Sequence, residues 1–420
     1  MERCPSERGQ VLVLVAISIP LLLGFAGFAL DVGVLQVERQ RLQAATDSAA
    51  IAGAAELNYG DWTTAANTAS SLNGYVNGTN GVTVSVNPSG AAVPSPLYGV
   101  YAGQPRYLEV ILTENVPTFF IRLFHINSVA VQTRAVAGLG IAQDCIYILG
   151  GSGTTLSLNN NAKLDAPGCG IIVDSSGSPA ISIVGSASLT GASVDSVGTT
   201  SINNSGSITP TAVTGVAPVS DPLGYITPPS YSAASCTSDP LSHYSNGGSS
   251  YSVGPGSNFS NTQNGNLTCY TSLFLGSNND TVTVNPGIYV ITGELQTGSG
   301  TLLGGNGVTF YLVGNGQVNI VNGATLNFSA PSSGAYDGIL FYQDRSDTNA
   351  AYIEGGSSST LNGVLYFPTA ALNIGNGTTT TVYTPVVANS LTVQGGSNIT
   401  DSDYSSINSS DPLTYPKLVE

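Results

Sequence analysis

The sequence predicts a mainly β protein with an N-terminal transmembrane α-helix, in which a small α+β domain is followed by a parallel β-solenoid (β-helix). Three observations predict it. An uncharged apolar run fills Val11 to Leu30. Alternating, strand-like segments fall between Val82 and Leu139. Beyond Cys145, short apolar triplets recur between Gly, Asn and Ser turns.

The apolar run reads VLVLVAISIPLLLGFAGFAL. At about 1.5 Å of rise per residue it spans about 30 Å, the hydrocarbon thickness of a bilayer. A cleaved signal peptide is the competing reading. The run is long for a signal core, and no small-x-small site precedes a polar start. A helical pattern instead continues through DVGVLQVERQRLQAATDSAAIAGAAEL, which favours a retained anchor. Leu42, Ala45, Ala49 and Ala52 recur at helical spacing, a small-residue stripe that lets another helix or a sheet approach. Arg3 and Arg8 before the span nearly balance Arg39 and Arg41 after it. The positive-inside count therefore does not fix orientation.

Composition narrows the rest. The chain has 420 residues, a net charge of −15 and only 8% charged residues. Its 51 glycines and abundant Ser, Thr and Asn suit an extracytoplasmic β-rich protein, and 41% hydrophobic content is enough for a core. After Ala135 the only basic residues are Lys163, Arg345 and Lys417. Nucleic acid is thereby excluded as a partner, since phosphates need clustered Lys and Arg. Cys145, Cys169, Cys236 and Cys269 all follow the span, whereas Cys4 precedes it. An even number on one side points to an oxidising compartment. Three pairings are possible; sequence proximity favours Cys145–Cys169 and Cys236–Cys269, with buried free thiols as the alternative. No zinc site is expected, because no CxxC occurs and His125 and His243 are far apart.

The domain boundaries follow. Residues 1–57 are the anchor and its continuing helix, and 58–142 form the small α+β domain. A second short helix is expected with Ala65, Ala69 and Leu72 on one face, then strands over Val82–Pro88, Tyr107–Val116 and Val129–Leu139. A long helix against such a sheet is similar to pilin-like architecture. Residues 143–400 form the solenoid, with an irregular Pro-rich insertion over 210–286 and a polar tail over 401–420. Four stronger strands start at Gly287, Gly307, Gly338 and Gly363, separated by 20, 31 and 25 residues. That is the coil length of a solenoid with three short strands per turn. An antiparallel sandwich is the rival and would want longer strands with hairpin turns.

A string of residues within the first 54 carries a resemblance: Gly9-Gln10, Pro20, Gly24, Asp31-Val32-Gly33, Arg39, Leu42-Gln43, Ala45, Asp47, Ala49-Ala50 and Ala52-Gly53-Ala54. It resembles the N-terminal segment of TadG-like proteins, of the TadE/TadG group associated with Flp (Tad) pilus assembly. The resemblance implies a single-pass anchor in a bacterial inner membrane with the bulk extracytoplasmic. It also implies that Asp31, Arg39, Leu42, Gln43 and Asp47 meet a partner helix of pilus-assembly or envelope proteins. Leu14 stands where a processed prepilin would carry Glu, so permanent anchoring is expected. GILFYQDRSD and LNGVLYFPTAAL look like the β-helical regions that follow such a segment in some bacterial surface proteins.

No nucleophile elbow, metal motif or phosphate loop appears. Gly304-Gly305-Asn306-Gly307 lacks the Lys and the following helix that a phosphate loop needs. His125 is expected to pack within FFIRLFHI, and His243 has no evident partner. The one local charged cluster is Asp344-Arg345-Asp347 with Glu354 nearby. Its bland reading is a turn held by Asp–Arg pairing; its sharp reading is a carbohydrate-active site, lyase or hydrolase. Asp174 and Asp195 are expected at solvated corners. The expected function is non-enzymatic and cofactor-free: a membrane-anchored protein of pilus assembly or surface attachment, with a polysaccharide or surface ligand possible. A carbohydrate-active β-helix enzyme is the alternative, and an end-to-end polymerising scaffold a third.

Overall fold

The computed structural model describes residues 8–87, 95–104, 106–238, 248–257, 262–320, 323–356, 359–375, 377–380, 384–401 and 412–420. Arg3, Cys4, Pro88, Pro240, His243 and residues 402–411 of the expected tail lie outside the described residues. The chain divides into two compact units, Met1–Gly140 with Tyr415–Glu420, and Ile141–Thr414.

In the first unit a helix, α1 (Arg8–Ala55), continues without a break from the apolar run into the Gln/Ala-rich stretch. Pro20 lies inside it. Its first half is bare, with Ile17, Leu21, Leu22, Leu23 and Phe25 all exposed. Its second half is a core element: Leu42, Ala45, Ala49, Ala50 and Ala54 are buried. They face an antiparallel sheet of β1 (Thr83–Asn87), β2 (Tyr107–Pro117) and β3 (Ser128–Ile141), with the strand Thr414–Leu418 on the far side of β3. Part of the expected polar tail is thus a strand. Backbone bonds from Val136 N to Glu420 O (2.7 Å) and from Val419 N to Val136 O (2.8 Å) continue the pairing past that strand. Arg134 ties the same corner together, meeting the buried Glu109 at 2.5 Å and Glu420 at 2.6 Å.

A short helix, α2 (Trp62–Leu72), packs on α1. It buries Ala66 and Ser70; of the expected Ala65–Ala69–Leu72 face, Ala69 packs on the core, Ala65 is half-buried and Leu72 is 84% exposed. Close approach explains the burial of Ala66. A Cβ at Gly53 of α1 would lie 3.3 Å from Ala66 Cβ and 3.1 Å from Trp62 O, and would overlap Leu108 of β2. Only small side chains fit where three elements meet.

The second unit is mostly β, and its described strands stack as parallel ladders, save Thr262–Asn264, which pairs antiparallel with Leu267–Leu275 in the same sheet. One ladder runs in space through Thr237–Ser238, Leu267–Leu275, Gly287–Ile291, Val308–Leu312, Ile339–Gln343, Val364–Ile374 and Val386–Val393. It then continues into Asp144–Ile148, Gly170–Val173, Val194–Ser196 and Val213–Thr214. A second ladder runs beside it, and three long strands belong to both, giving one 18-stranded sheet. Two five-stranded sheets carry the third strand of each layer. Spatial order therefore departs from sequence order: the last layer, Val386–Val393, lies under the first, Asp144–Ile148. The two ends of the unit meet there, with Ala142 N donating to Leu413 O at 3.1 Å. Gly338 has a φ of +73° beside the returning chain, where a Cβ would fall 2.7 Å from Pro412.

The irregular insertion is narrower than 210–286. Strands resume at Ser250–Val253, Leu267–Leu275 and Thr281–Val284. What remains is a strap, about residues 215–236, where Pro218, Pro222, Pro228 and Pro229 disfavour ladder bonding. It returns the chain from one end of the stack to the other. Seven strand spacings separate Gly170–Val173 from Leu267–Leu275 in the ladder, or about 34 Å at about 4.8 Å each. Residues 219–236 in polyproline geometry could reach about 50 Å, so the strap spans the distance with slack for turns.

The close packing at Gly53 generates a test. Gly53→Val should destabilise the first unit by about 1–3 kcal/mol through overpacking. Thermal unfolding followed by the single tryptophan, Trp62, which packs on that core, would read it.

Candidate functional site

Asp31 stands where the apolar run of α1 ends, yet its side chain is spent inside the unit. The carboxylate accepts backbone bonds from Phe119 (2.8 Å), Phe120 (2.9 Å) and Ile121 (2.6 Å). These are the unpaired N–H groups at the start of a 3-10 turn, Ile121–Phe124, so Asp31 caps it from another element. The residue is 2% exposed. Leu42 is buried under the sheet. Gln43 Nε2 donates to Asp47 Oδ1 (2.7 Å) and to Arg134 O (3.1 Å). Of the five residues expected to face a partner helix, Arg39 is the one that is exposed. His125 is exposed in a left-handed conformation (φ 66°), closing the same turn, and is not packed.

The structure joins Cys145 to Cys169 and Cys236 to Cys269. Among the described residues, Cys145, Cys169 and Asp401 form a grouping of metal-type ligands. Both sulfurs are in the disulfide, so no thiolate remains to bind an ion.

The Asp344–Arg345–Asp347 cluster diverges. The ion pair of Arg345 is with Asp221 of the strap and not with either neighbouring acid. Its guanidinium pairs with Asp221 (3.4 Å) and donates to Leu223 O (2.6 Å) and Ile226 O (3.1 Å). It also lies over the rings of Tyr342 and Tyr366. Tyr366 Oη donates to Asp221 at 2.5 Å, Tyr342 Oη to Ile226 O at 3.1 Å and Tyr336 Oη to Thr227 O at 2.7 Å. The expected Asp–Arg turn is thus a clamp between a ladder and the strap. Asp344 accepts from Tyr311 Oη (2.7 Å) and from Ser346. Burial pushes its carboxyl up, but bonds from Ser346 and Tyr311 and the nearby Arg345 outweigh this and hold it below the usual range. Burial raises Asp347, which accepts from Asn349. Glu354 follows the strand Ala351–Ile353, in the neighbouring ladder. Asp174 is buried, not solvated, and accepts a bond from the strap, from Val219 N at 3.0 Å.

An open groove of about 600 Å³ lies elsewhere, along Thr281–Pro286, Leu302–Asn306, Thr325 and Asn327. Gly304 and Gly305 leave it shallow, and no ionisable side chain lines it. It offers hydroxyls, amides and backbone groups, a surface for binding and not for proton transfer. Gly304-Gly305 stands out in the sequence only as a Gly-rich string, and nothing in its pattern marks a groove between two ordinary strands.

Residues 9–56 match the family model Tad, described as "Putative Flp pilus-assembly TadE/G-like". The matched segment is TadE/G-like. It coincides with α1 and stops where α1 stops. No curated protein and no solved structure matches the chain. Among the described residues one helix, α1, is long and apolar enough to cross a membrane. Helix and family match together support a membrane-anchored protein of Tad type.

Two substitutions test these contacts. Asp31→Asn should weaken the cap by removing its charge and speed hydrogen exchange at the amides of Phe119, Phe120 and Ile121. Arg345→Ala should loosen the strap by about 2 kcal/mol, the worth of hydrogen bonds to a charged group that is partly solvated. Limited proteolysis between Val219 and Ser235 should accelerate while the ladders stay resistant.

Proposed function

We propose that this is a non-enzymatic, membrane-anchored protein of Flp/Tad-type pilus assembly or of cell-surface attachment. Residues 11–30 hold it in a bacterial inner membrane, with the β-rich unit outside the cytoplasm. The observation that carries this reading is the family match on α1, a helix long and apolar enough to span. The first unit is read as pilin-like, because the second half of α1 lies under a small antiparallel sheet. The second unit is read as a rigid parallel solenoid. Parallel register across neighbouring layers and a continuous apolar interior support it. Two disulfides support an oxidising, extracytoplasmic location.

Partners are read as pilus-assembly or envelope proteins meeting the outward residues Val32, Gln36, Val37 and Arg39 of α1. The groove beside Gly304 is the candidate surface for a polysaccharide or other surface ligand. A non-catalytic role is supported by Arg345, which is engaged by the strap, and by the groove's lack of ionisable side chains.

Deleting the gene should abolish piliation or surface attachment, and unchanged piliation and adhesion would overturn the reading. Orientation is tested by trapping thiols in intact cells. Cys145, Cys169, Cys236 and Cys269 should become reactive only after reduction. Free thiols at all four would place the β-rich unit in the cytoplasm.

A further inference from the structure

The β2–β3 hairpin ends in a loop, residues 118–127, whose large apolar side chains point outward. Phe119, Phe120, Leu123, Phe124 and Ile126 are 67, 51, 84, 75 and 46% exposed. A cluster this dense on a soluble surface marks a contact site. The loop does not fold these groups inward, because its base is closed: Thr118 N donates to Asn127 O at 3.1 Å, and Thr118 Oγ1 to Ile126 O.

The loop's position is specific. Phe120 lies on Gly27 of α1, where a Cβ would meet its ring carbons at 2.6 Å. Gly27 is three residues inside the end of the apolar run at Leu30, and it is buried while its neighbours are bare. One turn further along, Asp31 grips the backbone of residues 119–121. The lengths agree. Leu108 of β2 meets Gly53 at the other end of the contact. From Gly53 back to Gly27 is about 39 Å of helix, and from Leu108 to Phe120 is about 40 Å of strand. The hairpin is as long as it must be to bring its tip to the membrane end of α1.

We propose that this loop is a second membrane-contacting element, inserting Phe119, Leu123, Phe124 and Ile126 into the lipid beside the Leu30 end of the span. The inference rests on the membrane-anchored reading of α1. Lipid is the occupant because the exposed patch is continuous with the bare face of the spanning helix. Phe120 reaches about 5 Å below the end of the apolar run, the depth at which interfacial aromatic residues sit. Arg122 at the tip is exposed and long enough to hold its guanidinium at the headgroups. The anchor then has two points of attachment, and the first unit cannot swivel about α1.

Tryptophan quenching tests it on the full chain in phosphatidylcholine vesicles containing brominated acyl chains. Trp62→Phe removes the native signal. In that background Phe124→Trp and, separately, Leu123→Trp report the loop, and Leu21→Trp reports the span. Blue-shifted emission from Trp at 124 or 123, quenched most by bromines near the headgroup, is the expected result. A loop tryptophan with water-exposed emission and no quenching, while that at 21 is quenched, would overturn the proposal and leave the anchor standing. Blue-shifted but unquenched emission would mean that protein covers the loop, and would also overturn it. No quenching at position 21 would sink the anchored reading, and this inference with it.

Discussion

A strand within a parallel stack has unpaired backbone groups on both edges until another strand lies above it and another below. The layer that opens with Asp144–Ile148 finds its upper neighbour next in sequence, but its lower neighbour, Val386–Val393, comes only at the far end of the unit. The two ends of the unit must also meet, at Ala142 and Leu413. The chain therefore has to start and finish its winding at one level in the middle of the stack. Everything unusual about the second unit follows from that condition. The first run of layers fills one side and ends at Val213–Thr214. The chain must then travel back past all of them before it can build the other side.

That journey explains why one ladder is buried on both faces. Inward-facing Phe310 and Phe341 join the core, while outward-facing Tyr311, Tyr342, Tyr366 and Val387 form a second apolar cluster with Leu223 and Ile226 of the strap. Without the strap this aromatic row would face water. With it, the tyrosine hydroxyls need acceptors, and strap carbonyls and Asp221 supply them. Asp221 in turn needs a counter-charge near a desolvated surface, and Arg345 provides one. Arg345, the single arginine of the second unit, is accounted for by packing, without invoking catalysis.

What the sequence could reveal followed from local periodicity. The span, the small-residue stripe and the both-faces-apolar strands beginning at Gly307, Gly338 and Gly363 were legible, because each depends on neighbours one turn or two residues away. Stacking order was not legible. Leu156-Ser157-Leu158 and Leu391-Thr392-Val393 present nearly the same surface, so nothing local says which lies on which. The C-terminal strand escaped because TYPKL contains a proline and no alternation, and edge pairing to β3 tolerates both. Asp31 read as a group awaiting a partner because its true partners are backbone amides, which every residue carries. His125 is expected to pack because an apolar string such as FFIRLFHI looks alike buried or exposed; the loop's place beside Gly27 and its exposure are set by tertiary contact.

The disulfides stand where the folding of such a stack is least favourable. A single layer cannot bury its own apolar face, so the first layer of any run gains little until a second covers it. This chain forms its parallel strands in two separate runs, before and after the strap, and so meets that cost twice. Cys145 lies in the first strand of the first run and Cys169 immediately before the strand above it. Cys236 immediately precedes the first strand after the strap, and Cys269 lies in the strand that pairs with it. Each bond thus joins the opening strand of a run to its first neighbour. With sequence separations of 24 and 33 residues, chain-entropy arguments give each about 3–4 kcal/mol. That is comparable to the closure entropy which the first pair of layers would otherwise have to overcome unaided. The placement argues that the two bonds act chiefly as nucleation staples. Each bond then stabilises the pair of strands on which the rest of its run is laid.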